Sequence, residues 1–422
     1  MTMRVVVVND HAHVNGGSAK VAIDSAKGFA RRGYRVDFFS AVGPIDPSLV
    51  EAGVEVTLLD QPDVASTPSL ARFGAQWLWN AAARRGLAGL LASCDPAETI
   101  VHVHGWAKAL SPSIGQALKH AGLPVVFTLH DYYLACPNGG FYDYGAARNC
   151  DYRPMSPGCI AHNCDSRGYH RKLMRVGRHA AMRYASGLYD TARHLISISR
   201  LQREAIAPYM PKDAIFYDVG NPIDVTDMGP KGDHAPGDFV FVGRLSAEKG
   251  PRYFAQAARL AGVTPVFVGD GPLRAALEAE FPEATFLGWQ GPMDVRETLR
   301  AARALVFPSV WYEGQPLTIY ESLGLGTPVI VSDLCAGREA VINGETGFWF
   351  KSSDAQSLAA AISQLTDDDL ARRMAGAAYA RYWADPLTLE RHLNSVAAVY
   401  EKARAAWRET HGGNFRVAPR AP

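Results

Sequence analysis

Two short runs in the second half of the chain hold the side chains best suited to chemistry. In Gly243-Arg244-Leu245-Ser246-Ala247-Glu248-Lys249-Gly250, two cations stand five residues apart, after a predicted strand and ahead of a predicted helix. Two cations beside free helix N–H groups suit a diphosphate, because both put positive charge against phosphate oxygens. The second run, Glu313-Gly314-Gln315-Pro316-Leu317-Thr318-Ile319-Tyr320-Glu321, sits in another strand-to-helix loop. Its helix start offers N–H groups to a phosphate. Glu321, two turns inside, can accept from a ribose diol, and Glu313, ahead of the helix, can hold a sugar hydroxyl. Taken alone, each set also reads as solvated surface charge. In the first half, Gly16-Gly17 either open a helix toward a phosphate or sugar, or form a plain tight turn. No G-x-G-x-x-G follows the first strand and no G-x-x-x-x-G-K-[ST] occurs, so nicotinamide chemistry and P-loop hydrolysis lose their sequence support.

Strands and helices must aim these loops. In the first half, short apolar runs at residues 5–8, 34–40, 54–59, 99–104, 124–130 and 192–199 alternate with helical patterns at 20–32 and 112–120. Repeated strand–helix–strand units mean a parallel sheet covered on both faces. The pattern restarts with strands at 239–243, 264–268, 284–287, 304–308 and 328–332. The helices between them fall at 251–261, 272–281, 295–302 and 314–325. Residues 355–365 and 367–384 also read as helices. The expected fold is therefore α/β, two doubly wound domains in tandem, joined by the Pro- and Gly-rich stretch 221–238. The expected division is 1–220 and 221–385, then a helix over 386–410 that crosses back to the first domain, and a disordered tail over 411–422. Ligands of open parallel sheets bind at the carboxyl ends of the strands. The loops after Val8, His104, His130, Gly243, Val268 and Ser309 should line the cleft between the domains.

The 422 residues leave room for two or three cores. Hydrophobic residues make up 48% and charged residues 20%, which excludes a disordered chain, a disulfide miniprotein and a fibre. Lys and Arg number 43 against 42 Asp and Glu, and a net charge of +1 argues against a nucleic-acid partner. The charge is uneven: residues 1–220 carry 23 basic and 18 acidic side chains, residues 221–422 carry 20 and 24. That asymmetry suggests two domains with different partners. The first apolar run ends at Asn9-Asp10 and reads as a buried strand, not a signal peptide. No apolar stretch approaches the ~20 residues that span a bilayer. The expected location is the cytoplasm, where six cysteines are more readily thiols or metal ligands than stable disulfides.

Taken in order, the segments resemble the retaining glycosyltransferases of family 4. That large GT-B family has two Rossmann-like domains facing across a cleft, and includes sucrose-phosphate synthases and bacterial exopolysaccharide and lipopolysaccharide transferases. The resemblance covers nearly the whole chain. It runs through Gly16-Gly17, Thr128-Leu129-His130-Asp131, Ile198-Ser199, Gly220-Asn221-Pro222, the Gly243 to Gly250 run, Val268-Gly269-Asp270-Gly271-Pro272 and the E-x7-E pair Glu313 and Glu321. It closes with residues 324–332, Arg338-Glu339 and Asn343-Gly344-Glu345-Thr346-Gly347-Phe348.

The resemblance implies roles. Arg244 and Lys249 bind the donor diphosphate, Glu321 the ribose, and Glu313 the transferred sugar, with His130 near the reacting carbon. These four, His130, Glu313, Arg244 and Lys249, form the catalytic set. Gly16 and Gly17 belong to the N-terminal glycine loop, Gly288-Trp289 approaches the base, and backbone groups at Gln315, Pro316, Leu317 and Thr318 hold sugar and phosphate. His13, Asn15, Asp131 and Tyr132 fall on the acceptor side. Pro316 stands where the family often has glycine; it fits a first helical turn but removes an N–H donor. The implied reaction moves a sugar from a nucleotide-diphosphate sugar to a saccharide acceptor, expected to be lipid-linked and to belong to surface polysaccharide assembly, with retention. Internal return on one face is the expected mechanism, the leaving phosphate oxygen taking the acceptor proton. No cofactor or essential metal is expected, because side-chain cations and helix ends can offset the leaving charge. A nucleotide-sugar 2-epimerase on the same fold and a non-catalytic sugar-binding protein are the alternatives.

Cys136, Cys150, Cys159 and Cys164 fall in an insert at about 132–166, with His162 among them and none at C-x2-C spacing. Reduced structural thiols, a structural zinc site and disulfides all fit. Tyr132, Tyr133, Phe141, Tyr142 and Tyr144 can stack on sugar rings or pack the insert's own core. Residues 167–183 hold six Arg or Lys and no acid. Leu173, Val176, Ala180 and Tyr184 share one helical face there. The basic face can meet an anionic membrane surface from the cytoplasmic side, or simply be solvated. A helix around Phe73, Trp77 and Trp79 can dip into an interface or pack inside.

Overall fold

The computed structural model describes residues 3–62, 76–232 and 237–411. Phe73, the middle of the 221–238 joint and the tail beyond residue 411 lie outside the described residues. The first sheet holds β1 (Arg4–His11), β2 (Arg35–Val42), β3 (Glu55–Leu58), β4 (Thr99–Val103), β5 (Val125–Leu129), β8 (His194–Ser197) and β9 (Ile215–Asp218), and a hairpin of β6 (Tyr142–Asp143) and β7 (Arg148–Asn149) stands apart. Its order is β3-β2-β1-β4-β5-β8-β9, with parallel neighbours throughout. The valines of β1 are buried on both faces, as a central parallel strand requires.

The second sheet repeats the plan with β10 (Phe239–Val242), β11 (Pro265–Val268), β12 (Thr285–Gly288), β13 (Ala304–Phe307), β14 (Val329–Ser332) and β15 (Gly347–Phe350), in the order β12-β11-β10-β13-β14-β15. In each sheet the order reverses at the first strand. Loops leaving the two strands on either side of such a reversal diverge and open a crevice. In the second sheet those loops follow β10 and β13, and they are the two runs with which the chemistry began. The strands β9 and β15 escape the sequence reading. Both are four-residue edge strands whose apolar runs, Ile215 to Tyr217 and Phe348 to Phe350, are too short to mark a strand by themselves.

Helix α1 (Gly17–Arg31) covers the first sheet. The last helix, α4 (Leu389–His411), packs beside it: Leu393, Val396, Val399, Tyr400 and Ala403 join Val5, Val7, Phe29 and Phe38 in one core. Ser25 Oγ lies 3.0 Å from His392 Nε2, and His392 Nδ1 lies 2.9 Å from the Gly220 carbonyl oxygen.

Helix α2 (Tyr169–Ala180) faces the other way from the expected one. Lys172, Arg178 and His179 are buried, while Leu173 is 44% and Tyr184, just beyond the helix, 77% exposed. Tertiary partners override the apolar stripe. The Arg178 guanidinium lies 3.9 Å from the Trp77 ring centre and 4.7 Å from that of Tyr133, and donates to the Ala107 carbonyl. Lys172 Nζ lies 3.2 Å from Cys164 Sγ and 3.5 Å from Cys159 Sγ. With Arg175 paired to buried Asp165 at 2.6 Å, three of the six cations serve the interior, not a basic outer face. Among the described residues no helix is long and apolar enough to cross a membrane.

Cys136, Cys150, Cys159 and Cys164 are free thiols, so the disulfide reading is not met. Nor do they form a zinc set: among the described residues no group of three or more His, Cys, Asp or Glu is arranged to hold a metal. The Lys172 ammonium contacts two of the sulfurs instead, and His162 turns away to Asp143, at 2.5 Å. Burial raises the Cys150 thiol to about 11. Tyr132, Phe141 and Tyr142 pack inside, Tyr132 edge-on to Phe141 at 5.2 Å.

Candidate active site

The loop after β10 can lie against the loop after β13 because residue 250 is glycine. Its φ is +67°, and a Cβ there would stand 2.1 Å from the Pro308 carbonyl oxygen. Val310 N donates to Glu248 O at 3.0 Å, and Ser309 Oγ to the same oxygen at 3.2 Å, which stitches the loops together. Lys249 then reaches Glu313, with Nζ–Oε1 2.7 Å, and Ser309 Oγ donates to the same oxygen at 2.7 Å. Glu313 is buried, and the Lys249 ammonium also stands 5.5 Å from the centre of the Trp311 ring, within cation–π range. Arg244 is exposed and makes no ion pair among the described residues. The two cations therefore differ: one is held by a carboxylate, the other is open to solvent.

Helix α3 (Leu317–Gly324) begins three residues later than expected. Pro316 sits outside it, as the capping residue with φ −75° and ψ 100°, and residues 314–316 stay non-helical. Gln315 turns its side chain to the interdomain joint: Oε1 accepts from Asn221 N at 2.6 Å and Nε2 lies 3.4 Å from Asn221 O. Leu317 and Thr318 open the helix half-buried. Glu321 lies one turn inside rather than two; burial raises its pKa, with Arg296 opposing. Trp289 follows β12 and is 78% exposed, so nothing holds it against the other site residues.

The first domain closes over this face. Gly16 caps α1 with φ 102°, a conformation open to glycine, and a Cβ on Gly17 would stand 3.4 Å from Leu317 Cδ1, so the start of α1 faces that of α3. Two helix N-termini, each with positive partial charge, thus converge on the cleft. Across it, the Glu339 carboxylate accepts from Arg200 N at 3.0 Å and Leu201 N at 2.7 Å, capping a helix of the other domain. Lys20 meets Asp224 at 3.4 Å.

His130 Nε2 lies 3.0 Å from His104 Nδ1, with the rings stacked. Burial, with His392 adding to it, lowers the His130 pKa to about 3, so its imidazole is neutral at working pH. Behind it, His102 lies 2.7 Å from both Thr128 Oγ1 and the Tyr400 hydroxyl. His104 is a residue that sequence reasoning did not single out; its one signal is its place at a strand end facing the cleft. Asp10 accepts from the backbone of Lys108, Ala109 and Leu110 and fixes the loop after β4. Asp131 is exposed and accepts from Tyr133 N at 3.0 Å. His13 is half-buried and Asn15 exposed, both ahead of α1.

Gly17, His130, Tyr132, Asn221, Trp311 and Glu313 line one cavity of about 190 Å3 between the domains. A larger one, of about 950 Å3, lies in the second domain beside Lys231, Arg300 and Arg372 and includes none of these residues.

Comparison with known proteins agrees with this plan. The model of Glycosyltransferase Family 4 matches residues 15–226, and that of Glycosyl transferases group 1 matches residues 236–368. The UDP-Gal:alpha-D-GlcNAc-diphosphoundecaprenol alpha-1,3-galactosyltransferase of Escherichia coli is 35% identical over 144 residues, 31% of this chain and 36% of that enzyme. The chain thus spans about a third of that relative's length. Two solved structures share the fold. Sucrose-phosphate synthase from Thermosynechococcus elongatus aligns with a TM-score of 0.66 and 18% identity over 96% of this chain and 100% of its own. Anabaena HepE in complex with UDP and glucose aligns with a TM-score of 0.62 and 18% identity over 95% and 100%. Both sheets, the cleft between them and a family match over half the residues lead to one conclusion: the chain belongs to Glycosyltransferase Family 4 and has the GT-B fold.

Proposed function

We propose that this chain is a retaining glycosyltransferase that moves a sugar from a nucleotide-diphosphate sugar to a saccharide acceptor, lipid-linked in surface polysaccharide assembly. The observation that carries it is Glu313, fixed by Lys249 and Ser309 at a cavity where two helix N-termini and a neutral histidine meet. In this reading the first domain takes the acceptor and the second the donor. Arg244, Lys249 and the starts of α1 and α3 offset the diphosphate charge that grows as the glycosidic bond breaks. Glu321 accepts from the ribose diol, Trp289 lies toward the base, and the Glu313 cavity takes the sugar.

Neutral His130 accepts from or donates to a sugar hydroxyl and brings no positive charge to the reacting carbon. Glu313 already shares one oxygen with a lysine and a serine, which suits a sugar contact better than a free nucleophile. The acceptor hydroxyl then attacks from the face the diphosphate leaves, and the leaving phosphate oxygen takes its proton. The Escherichia coli relative named for UDP-Gal and a diphosphoundecaprenol acceptor, and the HepE complex with UDP and glucose, support a UDP-sugar donor. Exposed Leu173 and Tyr184 support work at a membrane face.

The test is transfer from UDP-galactose and UDP-glucose to a GlcNAc-diphospho-polyprenol, with the product's anomeric proton read by NMR. An α-linked product from these α-linked donors is expected. A β-linked product contradicts retention, and release of free hexose with every acceptor contradicts a transferase.

A further inference from the structure

His104 and His130 stand just past the carboxyl ends of two neighbouring parallel strands, β4 and β5, and share one hydrogen bond between His104 Nδ1 and His130 Nε2, at 3.0 Å. A bond between two ring nitrogens holds one hydrogen, so one ring donates and the other accepts. Burial keeps both rings neutral: it lowers the His130 pKa to about 3 and drives that of His104 well down, neighbouring histidines adding to it. A neutral imidazole carries one ring hydrogen. The direction of the shared bond therefore fixes what the far nitrogen of each ring bears.

The two far nitrogens differ. His104 Nε2 is buried and has no partner among the described residues. His102 cannot serve it: the two ring centres lie 4.0 Å apart, but both His102 nitrogens are taken, by the Tyr400 hydroxyl and by Thr128 Oγ1. His130 Nδ1 is not among the buried unmet atoms, and His130 lines the cavity between the domains. If His130 gave the shared hydrogen, His104 would carry its own on Nε2, as a buried N–H with no acceptor. If His104 gives it, Nε2 is a bare lone pair and His130 carries its hydrogen on Nδ1. A buried N–H without an acceptor is the rarer of the two in folded chains. The backbone fixes the donor in place, since His104 N donates to Val8 O at 2.9 Å.

We propose that His104 is a positioning residue for sugar transfer: its Nδ1–H holds His130 in the tautomer with hydrogen on Nδ1, so that His130 meets a sugar oxygen in the cleft as a donor only. This rests on the reading that the cleft transfers a sugar, and it settles which of the two roles of a neutral imidazole His130 takes there.

The experiment labels the histidine ring nitrogens of the full chain isotopically and reads from long-range proton–nitrogen correlations which nitrogen of His130 carries hydrogen. The His130 signals are those lost in His130→Gln. The wild-type chain should show hydrogen on Nδ1 and a bare Nε2. His104→Phe keeps a ring and removes the donor. An unheld imidazole prefers its hydrogen on Nε2, and His130 should turn to that form. With it, kcat for transfer should fall roughly 10- to 100-fold, as loss of a hydrogen bond to a group that bears charge implies, while UDP affinity stays within about twofold. A merely structural His104 would leave the tautomer as it is. Should His104→Phe fail to give a cooperative melt, the wild-type spectrum decides. Hydrogen on His130 Nε2 in the wild-type chain overturns the proposal, and so does a kcat within about threefold of wild type in folded His104→Phe. Absence of transfer by the wild-type chain overturns the transferase reading and the role of His130 with it, whereas the tautomer is read without any sugar donor, so the two failures are told apart.

Discussion

Glu313→Ala is expected to lower kcat/KM for glycosyl transfer by roughly 100- to 1000-fold, the scale on which a fixed electrostatic partner at a reacting group acts. The carboxylate does two things at once. It accepts from Lys249 Nζ and Ser309 Oγ, each at 2.7 Å, and so sets where the ammonium stands. It also lines the cavity proposed for the sugar. Its removal leaves the ammonium free to drift and the sugar without a hydroxyl contact. The loss should fall mainly on kcat, with a smaller rise in KM. Were Glu313 only a counter-ion for Lys249, the variant would bind nucleoside diphosphate more tightly, because the cation is released, and kcat would barely move. Steady-state kinetics beside a UDP titration separates the two, and a fall in kcat of less than about tenfold contradicts the assigned role.

Gly250→Val is expected to cost about 3 kcal/mol of stability or more, from a β-branched residue at positive φ and a new atom against backbone. The neighbour is the Pro308 carbonyl, 2.1 Å from the added Cβ, which no side-chain rotation relieves. The two loops must part, and Lys249 parts from Glu313 with them. A shift of about 2–4 °C per kcal/mol for a domain of this size puts the fall in Tm at roughly 6–12 °C, with transfer lost at temperatures where the chain is still folded. Differential scanning calorimetry with an assay well below Tm checks both. A Tm within about 2 °C of wild type, with activity kept, would mean that the two loops are not locked together as described.

The parts of this molecule that periodicity reveals are those where burial is continuous. Val5 to Val8 read as a buried strand because both faces of β1 are covered, and the same holds for Val329 to Val331 in β14. Edge strand β9 has an apolar run of only three residues, Ile215 to Tyr217, none of them buried, and so does not stand out in the sequence. Helix α2 shows the opposite failure. Its stripe through Leu173 and Val176 looks like a packing face, yet thiols, indole and phenol rings hold Lys172 and Arg178 inward.

For the site, the runs around Lys249 and Glu313 were legible one by one as candidate ligands. Their meeting was not, because it depends on β10 and β13 becoming neighbours at the reversal of strand order. Gln315 illustrates the limit of a motif, since its place in the run does not tell that its amide closes on Asn221. Nor does an aromatic such as Trp311 declare from sequence whether it packs a core or faces a ligand. The unmet N–H shows only once the loop is folded.

The central claim is that a nucleoside diphosphate lies between the Arg244–Lys249 loop and Glu321. It is tested most directly by titrating UDP, GDP and ADP into the wild-type chain and into Glu321→Ala. One of the three should bind the wild type, and the variant should bind it roughly 10- to 100-fold more weakly, as loss of hydrogen bonds to a charged group implies. No binding of any of the three to the wild type, or equal binding to both chains, would contradict the account.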